Sequence, residues 1–330
     1  MAGASPAEGR CMAEQILITG GLGQLGSELA ATLVDRYGAE HVLVTDIKPP
    51  AEDPPFRFLP LDARDGELLR RVVHEEKITR VYHLAALLSA VSEARPQDAW
   101  EINMGALFAV LEVAREYGLS VFTPSSIGAF GPQTPKEFTP QDTIQRPTSM
   151  YGVTKVAGEL LCDYYYFKYG VDTRGVRFPG IISNVTPPGG GTTDYAVEIY
   201  YAAVREKAYT CFLQGNTYLD MIFMPDAIKA AVQVMEADPG RLRHRNAFNV
   251  TAMSFSPEDQ AAYIRRYIPE FEISYDVDPV RQAIANSWPT TLEDYAARVE
   301  WGWEPVYDLD RMTQDMLMTL SDRYERTGTL

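Results

Sequence analysis

An apolar stretch at residues 15–19 (QILIT) runs straight into a glycine-rich turn, Gly20-Gly21-Leu22-Gly23-Gln24-Leu25-Gly26, and a helical pattern then continues to about Tyr37. Glycines at a strand-to-helix junction permit a tight turn and let the helix pack closely on the strand. The alternation repeats: strands are expected at 41–45, 56–61, 80–84, 120–124 and 172–178, with helices at 65–77, 99–117 and 150–169. The 99–117 helix carries apolar residues at Leu107, Val110, Leu111 and Ala114, the stripe of an amphipathic helix. Continuous apolar strands separated by helices of this length predict an α/β fold with a doubly wound parallel sheet.

After Pro179 the rhythm changes. Pro187-Pro188-Gly189-Gly190-Gly191 reads as a loop. Helices are expected at 194–206 and 224–235, and a strand at 247–250. Ser256-Pro257-Glu258-Asp259 is a capping pattern that predicts a helix over 257–267. Residues 15–180 are thus expected to form the sheet domain and 181–330 mainly a smaller α+β lobe, some of whose segments return to the sheet. Residues 1–14 contain Glu8 and Glu14 and no apolar core, so they read as a disordered extension rather than a signal or transit peptide.

Charge narrows the function classes. The 330-residue chain has a net charge of −15, which opposes a nucleic-acid partner or an anionic membrane surface. No apolar run approaches the roughly 18 residues of a membrane span. Three cysteines and four histidines are scattered without ligand spacing, so no metal is expected. The lack of a disulfide framework fits a reducing, cytoplasmic setting.

Gly20, Gly23 and Gly26 have the spacing of a dinucleotide-binding turn, which would make the sheet Rossmann-type. In such a turn the backbone approaches a pyrophosphate, and the helix N-terminus offers unpaired N–H groups and the positive end of its dipole. Asp46, 20 residues after Gly26, ends the second strand. A carboxylate there accepts both ribose hydroxyls and repels a 2′-phosphate, favouring NAD over NADP; Lys48 argues mildly the other way. Further cofactor contacts are expected from Gln24 and Leu25 in the turn, Ile47 and Lys48 beside Asp46, and Ala63 beside Asp62. Asp62 either bonds the adenine amino group or caps the helix starting near Asp65. Leu84-Ala85-Ala86, mostly small side chains, lets backbone pass close to the cofactor, and Pro179 and Ile181 complete the set.

Tyr151 and Lys155 stand four residues apart, on one face of a helix, downstream of a strand-end pair, Ser125-Ser126. A free phenol ionises near pH 10, too high for a base at neutral pH. A neighbouring ammonium and a cationic nicotinamide both favour phenolate. Phenolate can take the proton of a substrate alcohol while hydride leaves the same carbon for nicotinamide C4. Ser126 would hydrogen-bond the substrate oxygen.

Through TGGLGQLG, HLAA, SSIGAFG and YGVTK the chain resembles the extended short-chain dehydrogenase/reductase family. The resemblance implies that the catalytic serine lies five residues before the loop glycine, which from Gly131 selects Ser126 over Ser125. It also implies an asparagine that holds a supporting water, here Asn103. PSSIGAFGP, RFPGII, PPGGGTTDYAVEIYY and DPVRQAIANSWP look like the metal-free L-threonine 3-dehydrogenases of this fold. That likeness implies NAD-dependent oxidation of the L-threonine β-hydroxyl to 2-amino-3-oxobutanoate. It further implies a homodimer formed through the 99–117 and 150–169 helices.

A zwitterionic amino acid needs donors for its carboxylate and an acceptor for its ammonium. The segment 189–194, with Gly191 and Thr192, precedes a helix and offers N–H donors. Asp194 either pairs with the ammonium or caps that helix. Ser89 offers a polar contact near the nicotinamide, and Trp288 either closes over the substrate methyl or packs in the core. The glycine loop is a natural lid hinge.

Two other readings stay open. A nucleotide-sugar epimerase or dehydratase would need a basic cluster for a diphosphate, for which Arg241, Arg243 and Arg245 are candidates. A non-catalytic NAD-binding regulator would usually lack the tyrosine or the lysine, and both are present.

Overall fold

The computed structural model describes residues 14–51, 53–187 and 191–330. Nearly all of the expected extension at 1–14 lies outside the described residues, as do residues 188–190 of the expected hinge loop. The first half forms strands β1 (Ile16–Thr19), β2 (Val42–Asp46), β3 (Arg57–Pro60), β4 (Arg80–His83), β5 (Ser120–Phe122), β6 (Ser125–Ser126) and β7 (Asp172–Arg174). Between them run helices α1 (Gln24–Tyr37), α2 (Gly66–Glu76), α3 (Ser89–Ala94), α4 (Pro96–Tyr117) and α5 (Met150–Tyr169). Six of these strands make one sheet in the order β3-β2-β1-β4-β5-β7, with every neighbouring pair parallel.

The order turns back at β1, which pairs with β2 on one side and β4 on the other. Such a switch point leaves a crevice at the carboxyl ends of the strands. Alternation along β1 sends Ile16 and Ile18 into one core and Leu17 into another. Both faces of the sheet are therefore covered, as the continuous apolar strands require.

The strand expected over 172–178 is two strands. β7 stays in the central sheet, while β8 (Val176–Phe178) pairs with β6 and with β12 (Phe248–Asn249) in a separate sheet. The break falls at Gly175, where a Cβ would sit 2.2 Å from the Thr123 carbonyl oxygen. The strand expected over 120–124 breaks alongside it, ending at Phe122, and Pro124 has no N–H to extend a ladder. The two chains step out of the central sheet together and carry Ser126 with them. Helix α3 has no counterpart in the sequence reading, and α4 starts at Pro96, before the expected residue 99. Proline in a first helical turn gives up no intrahelical bond.

The remaining elements are β9 (Gly180–Ile182), α6 (Tyr195–Arg205), β10 (Ala208–Cys211), β11 (Leu219–Phe223), α7 (Met224–Glu236), β13 (Met253–Phe255), α8 (Pro257–Ile264), β14 (Glu272–Tyr275), α9 (Pro279–Ser287), α10 (Tyr295–Trp301) and α11 (Leu309–Thr327). The capping box before α8 forms as expected between Ser256 and Asp259, but the helix stops at Ile264. Helix α7 supplies Ala227, Ala230, Ala231 and Val234 to the core that holds Ile16 and Ile18, so this segment returns to the central sheet. Helices α6, α8 and α11 surround a third core, which also takes in Ile127 and Phe130 just after β6. No helix among the described residues is long and apolar enough to cross a membrane.

Candidate active site

Gly20 follows β1 with φ +67°, a left-handed conformation that favours glycine. A Cβ there would lie 2.6 Å from the Ala85 backbone, so the turn after β1 and the loop after β4 touch. Gly26 is equally crowded, against the Gly20 carbonyl. Gly23 precedes α1 without any side-chain cap, leaving the first N–H groups of the helix, at Gln24, Leu25 and Gly26, open at its mouth. Asp46 ends β2 beside this turn, its carboxylate accepting from Leu22 N at 3.1 Å and Ile47 N at 2.8 Å. Ile47 and Lys48 lie exposed next to it.

Asp62 follows β3, and its carboxylate pairs with the Arg64 guanidinium at 2.6 Å. Hydrogen bonds from Arg64 hold that carboxyl below its usual range. The cap of α2 is Asp65, which accepts from Leu68 N at 3.0 Å, so Asp62 does not cap the helix. An adenine contact at Asp62 would share the carboxylate with Arg64. Ala63 is buried in the core.

Helix α5 begins at Ser149, whose side chain accepts from Gly152 N at 3.1 Å. Its bounds are those the sequence predicts. Tyr151 and Lys155 share a face, with the Lys155 Nζ 5.4 Å from the centre of the Tyr151 ring. The ammonium also donates to Pro124 O at 2.7 Å. Ser126 Oγ accepts from Gly128 N at 3.1 Å, which leaves its own proton to donate. Gly128 lies against the tyrosine, since a Cβ there would be 3.1 Å from Tyr151 Cδ1. The structure thus brings Ser126, Tyr151 and Lys155 together.

Asn103 accepts from Leu87 N at 2.7 Å and donates to Leu87 O and Thr154 Oγ1, each at 3.2 Å. Both amide hydrogens are spent tying the loop after β4 to α5, so only an oxygen lone pair remains for the expected water. A cavity of about 40 Å³ lined by His83, Asn103, Thr154 and Lys155 lies beside it and has room for one. His83 opens the HLAA motif, but the sequence reading assigns it no role. Its Nδ1 lies 2.7 Å from Thr19 Oγ1. Burial first, and then the Lys155 charge, push this imidazole down to about 3, so it is neutral at physiological pH.

A buried ion pair also escaped the sequence reading. Glu159, one turn beyond Lys155, takes two bonds from Arg177 on β8, at 3.0 and 2.8 Å. Removing either partner would strand a buried charge, at a cost of roughly 3–5 kcal/mol. The spacing of four residues from Lys155 was the signal available for Glu159.

The substrate-side expectations gather less completely. The turn before α6 docks on β9, where a Cβ on Gly180 would lie 2.9 Å from Thr193 Cγ2. Pro179 and Ile181 flank that glycine. Asp194 accepts from Gly191 N at 2.6 Å and makes no side-chain cap bond to α6, so its expected capping role is not observed. Thr192 is buried, and Ser89 opens α3 half-buried. Trp288, 7% exposed, packs in the core that contains Ile127 and Phe130, which supports its core reading. No group of three or more His, Cys, Asp or Glu side chains that could hold a metal ion occurs among the described residues.

Residues 16–250 match the model of the NAD dependent epimerase/dehydratase family. An uncharacterized epimerase/dehydratase of Staphylococcus saprophyticus is 56% identical over 307 residues, 92% of this chain and 96% of that protein. The solved L-threonine dehydrogenase of Clostridium difficile is 53% identical with TM-score 0.93, covering 94% of this chain and 98% of that one. A GalE-like L-threonine dehydrogenase from Cupriavidus necator, in its holo form, is 50% identical with TM-score 0.91, covering 93% and 99%. NAD fits the residues present: a side-chain-free mouth at α1, a turn that Cβ atoms would fill, and the Asp46 carboxylate beside it. With a family model spanning most of its length and relatives above half identity, the chain belongs to the NAD dependent epimerase/dehydratase family, as an NAD-using oxidoreductase.

Proposed function

We propose that the protein is an L-threonine 3-dehydrogenase, oxidising the β-hydroxyl of L-threonine to 2-amino-3-oxobutanoate. The observation that carries this reading is the likeness to two L-threonine dehydrogenases over more than nine-tenths of the chain, a span that includes the C-terminal segments expected to choose the substrate. Bound NAD⁺ supplies the hydride acceptor. Tyr151, as phenolate, takes the hydroxyl proton, so the carbonyl forms as the C–H electron pair departs. Ser126 donates its remaining proton to the substrate oxygen and aims it at the phenol. Lys155, anchored on Pro124 O, holds its side-chain nitrogen over the tyrosine ring, beside the oxygen that carries the charge during proton transfer. Thr192 faces the substrate carboxylate with its backbone N–H, and Asp194, held by the Gly191 N–H, faces the ammonium. Residues 15–180 serve the cofactor and 181–330 mainly the substrate.

A sugar-nucleotide reading is less well supported. Arg245, a candidate for a diphosphate, is buried and already paired with Asp172 at 2.5 Å, while Arg241 reaches the Val299 carbonyl. The test is NADH formation from NAD⁺ with L-threonine alone, followed by absorbance. Turnover supports the proposal; no turnover without a sugar nucleotide would sink it. We also propose a homodimer through α4 and α5, whose exposed apolar side chains include Phe108, Leu160 and Phe167.

A further inference from the structure

We propose that Glu159, acting through Ser125, is a positioning residue that sets the aim of Ser126. This inference rests on the dehydrogenase reading above, and it starts from the face of α5. Tyr151, Lys155 and Glu159 recur every four residues, so they form one stripe along the helix. The segment Pro124–Ser126 lies against that stripe and is tied to it twice. Lys155 Nζ donates to Pro124 O at 2.7 Å, and Ser125 Oγ donates to Glu159 Oε1. The next residue is Ser126. Neighbouring strand residues point to opposite sides. Holding Ser125 toward Glu159 therefore turns Ser126 the other way, to where Gly128 N meets its Oγ and Gly128 borders the Tyr151 ring.

Glu159 is itself held on every side. Arg177 bonds both its oxygens, and Gln145 Nε2 donates to Oε2 at 2.7 Å. Arg177 sits on β8 directly across from Ser125, in the register Ser125↔Arg177. Its remaining donors reach Gln141 O at 2.8 Å and Asn249 Oδ1 at 3.1 Å. Ser125, Glu159 and Arg177 are 8%, 6% and 6% exposed, so these bonds are shielded from bulk solvent. A buried ion pair adds little net stability over an apolar filling of the same volume. What it supplies here is direction: a carboxylate that cannot rotate, presented to one hydroxyl beside the candidate catalytic serine.

Ser125→Ala removes the bond to Glu159 and leaves the ion pair intact. A misplacement of about 1 Å costs about 100-fold in rate, so we expect kcat to fall roughly 10- to 100-fold, with Kd for NADH and the melting temperature close to wild type. The isotope effect with threonine deuterated at C3 should rise, because hydride transfer becomes slower relative to product release. Ser125→Thr keeps the hydroxyl and should restore most of kcat. Unchanged kcat and isotope effect in Ser125→Ala, or equal losses in the alanine and threonine variants, would overturn the proposal. If wild type forms no NADH from threonine, the dehydrogenase reading fails separately. The positioning claim is then decided by a crystal structure of Ser125→Ala with NAD: a turned Ser126 side chain upholds it, and an unmoved one overturns it.

Discussion

Two helix entrances in this molecule take their carboxylates from different places. The turn into α1 has no side-chain cap: its cap is Gly23, its bend is Gly20 at φ +67°, its first N–H groups are left open, and the carboxylate that bonds the turn, Asp46 to Leu22 N, comes from the end of the next strand. The turn into α6 carries a carboxylate, with Asp194 accepting from Gly191 N across the bend. An entrance whose first helical N–H groups carry no side-chain cap suits a diphosphate, which needs several backbone donors and close approach. An entrance that carries its own anion disfavours a diphosphate and suits a group bearing a positive charge beside a negative one. The contrast teaches that helix dipoles are generic, and that the side chains placed at their mouths select the ligand.

Several variants would break or sharpen that contrast. The largest effect belongs to the proposed acid/base chemistry. Tyr151→Phe should lower kcat by roughly 10³- to 10⁴-fold, the upper range for general acid–base groups, while NADH fluorescence titration gives a near-normal Kd. Appreciable residual turnover would remove the tyrosine from the mechanism. Gly20→Ala comes next. Its Cβ would strike the Ala85 backbone at 2.6 Å in a left-handed conformation, so thermal unfolding should show a loss of roughly 1–3 kcal/mol, together with weakened NAD binding.

Asp46→Ala should weaken NAD binding by roughly 10- to 100-fold, in keeping with hydrogen bonds to a charged group worth about 1.5–3 kcal/mol, and narrow the preference over NADP. Calorimetry with both cofactors measures it, and an unaltered ratio would move cofactor choice elsewhere. Asp194→Asn keeps an oxygen for Gly191 N and removes the charge. KM for threonine should rise about tenfold at nearly constant kcat, as expected for an exposed to half-buried ion pair of about 1 kcal/mol or somewhat more. A steady KM would assign Asp194 to shaping the turn alone. The mildest effect on turnover is expected from Phe167→Glu with Leu160→Glu, which should shift the species seen by light scattering from dimer to monomer.

How much was legible follows from how local each feature is. Helix α5 was bounded correctly at both ends, since Ser149, the helical stripe and Gly170 all lie within the segment. Tyr151 and Lys155 were legible for the same reason. Asp62 and Asp65 were harder to separate, because two acids three residues apart offer the same cap, and only the bond to Leu68 N decides between them. Trp288 offered no choice at all from sequence, since a buried ring and a pocket wall have identical local surroundings.

The amino-acid sequence by itself determined the periodic elements, the glycine turn and the acid/base spacing, because these depend on residues a few positions apart. Only the tertiary structure decided that the strand at 172–178 breaks at Gly175, that His83 is neutral against Thr19, and that Ser125 answers to Glu159 and Arg177. Those facts are contacts between residues 18 to 64 positions apart, from Glu159 with Arg177 to Thr19 with His83. Hydrophobic periodicity carries no record of which distant partner a strand or side chain will meet. Packing the sheets together supplies it.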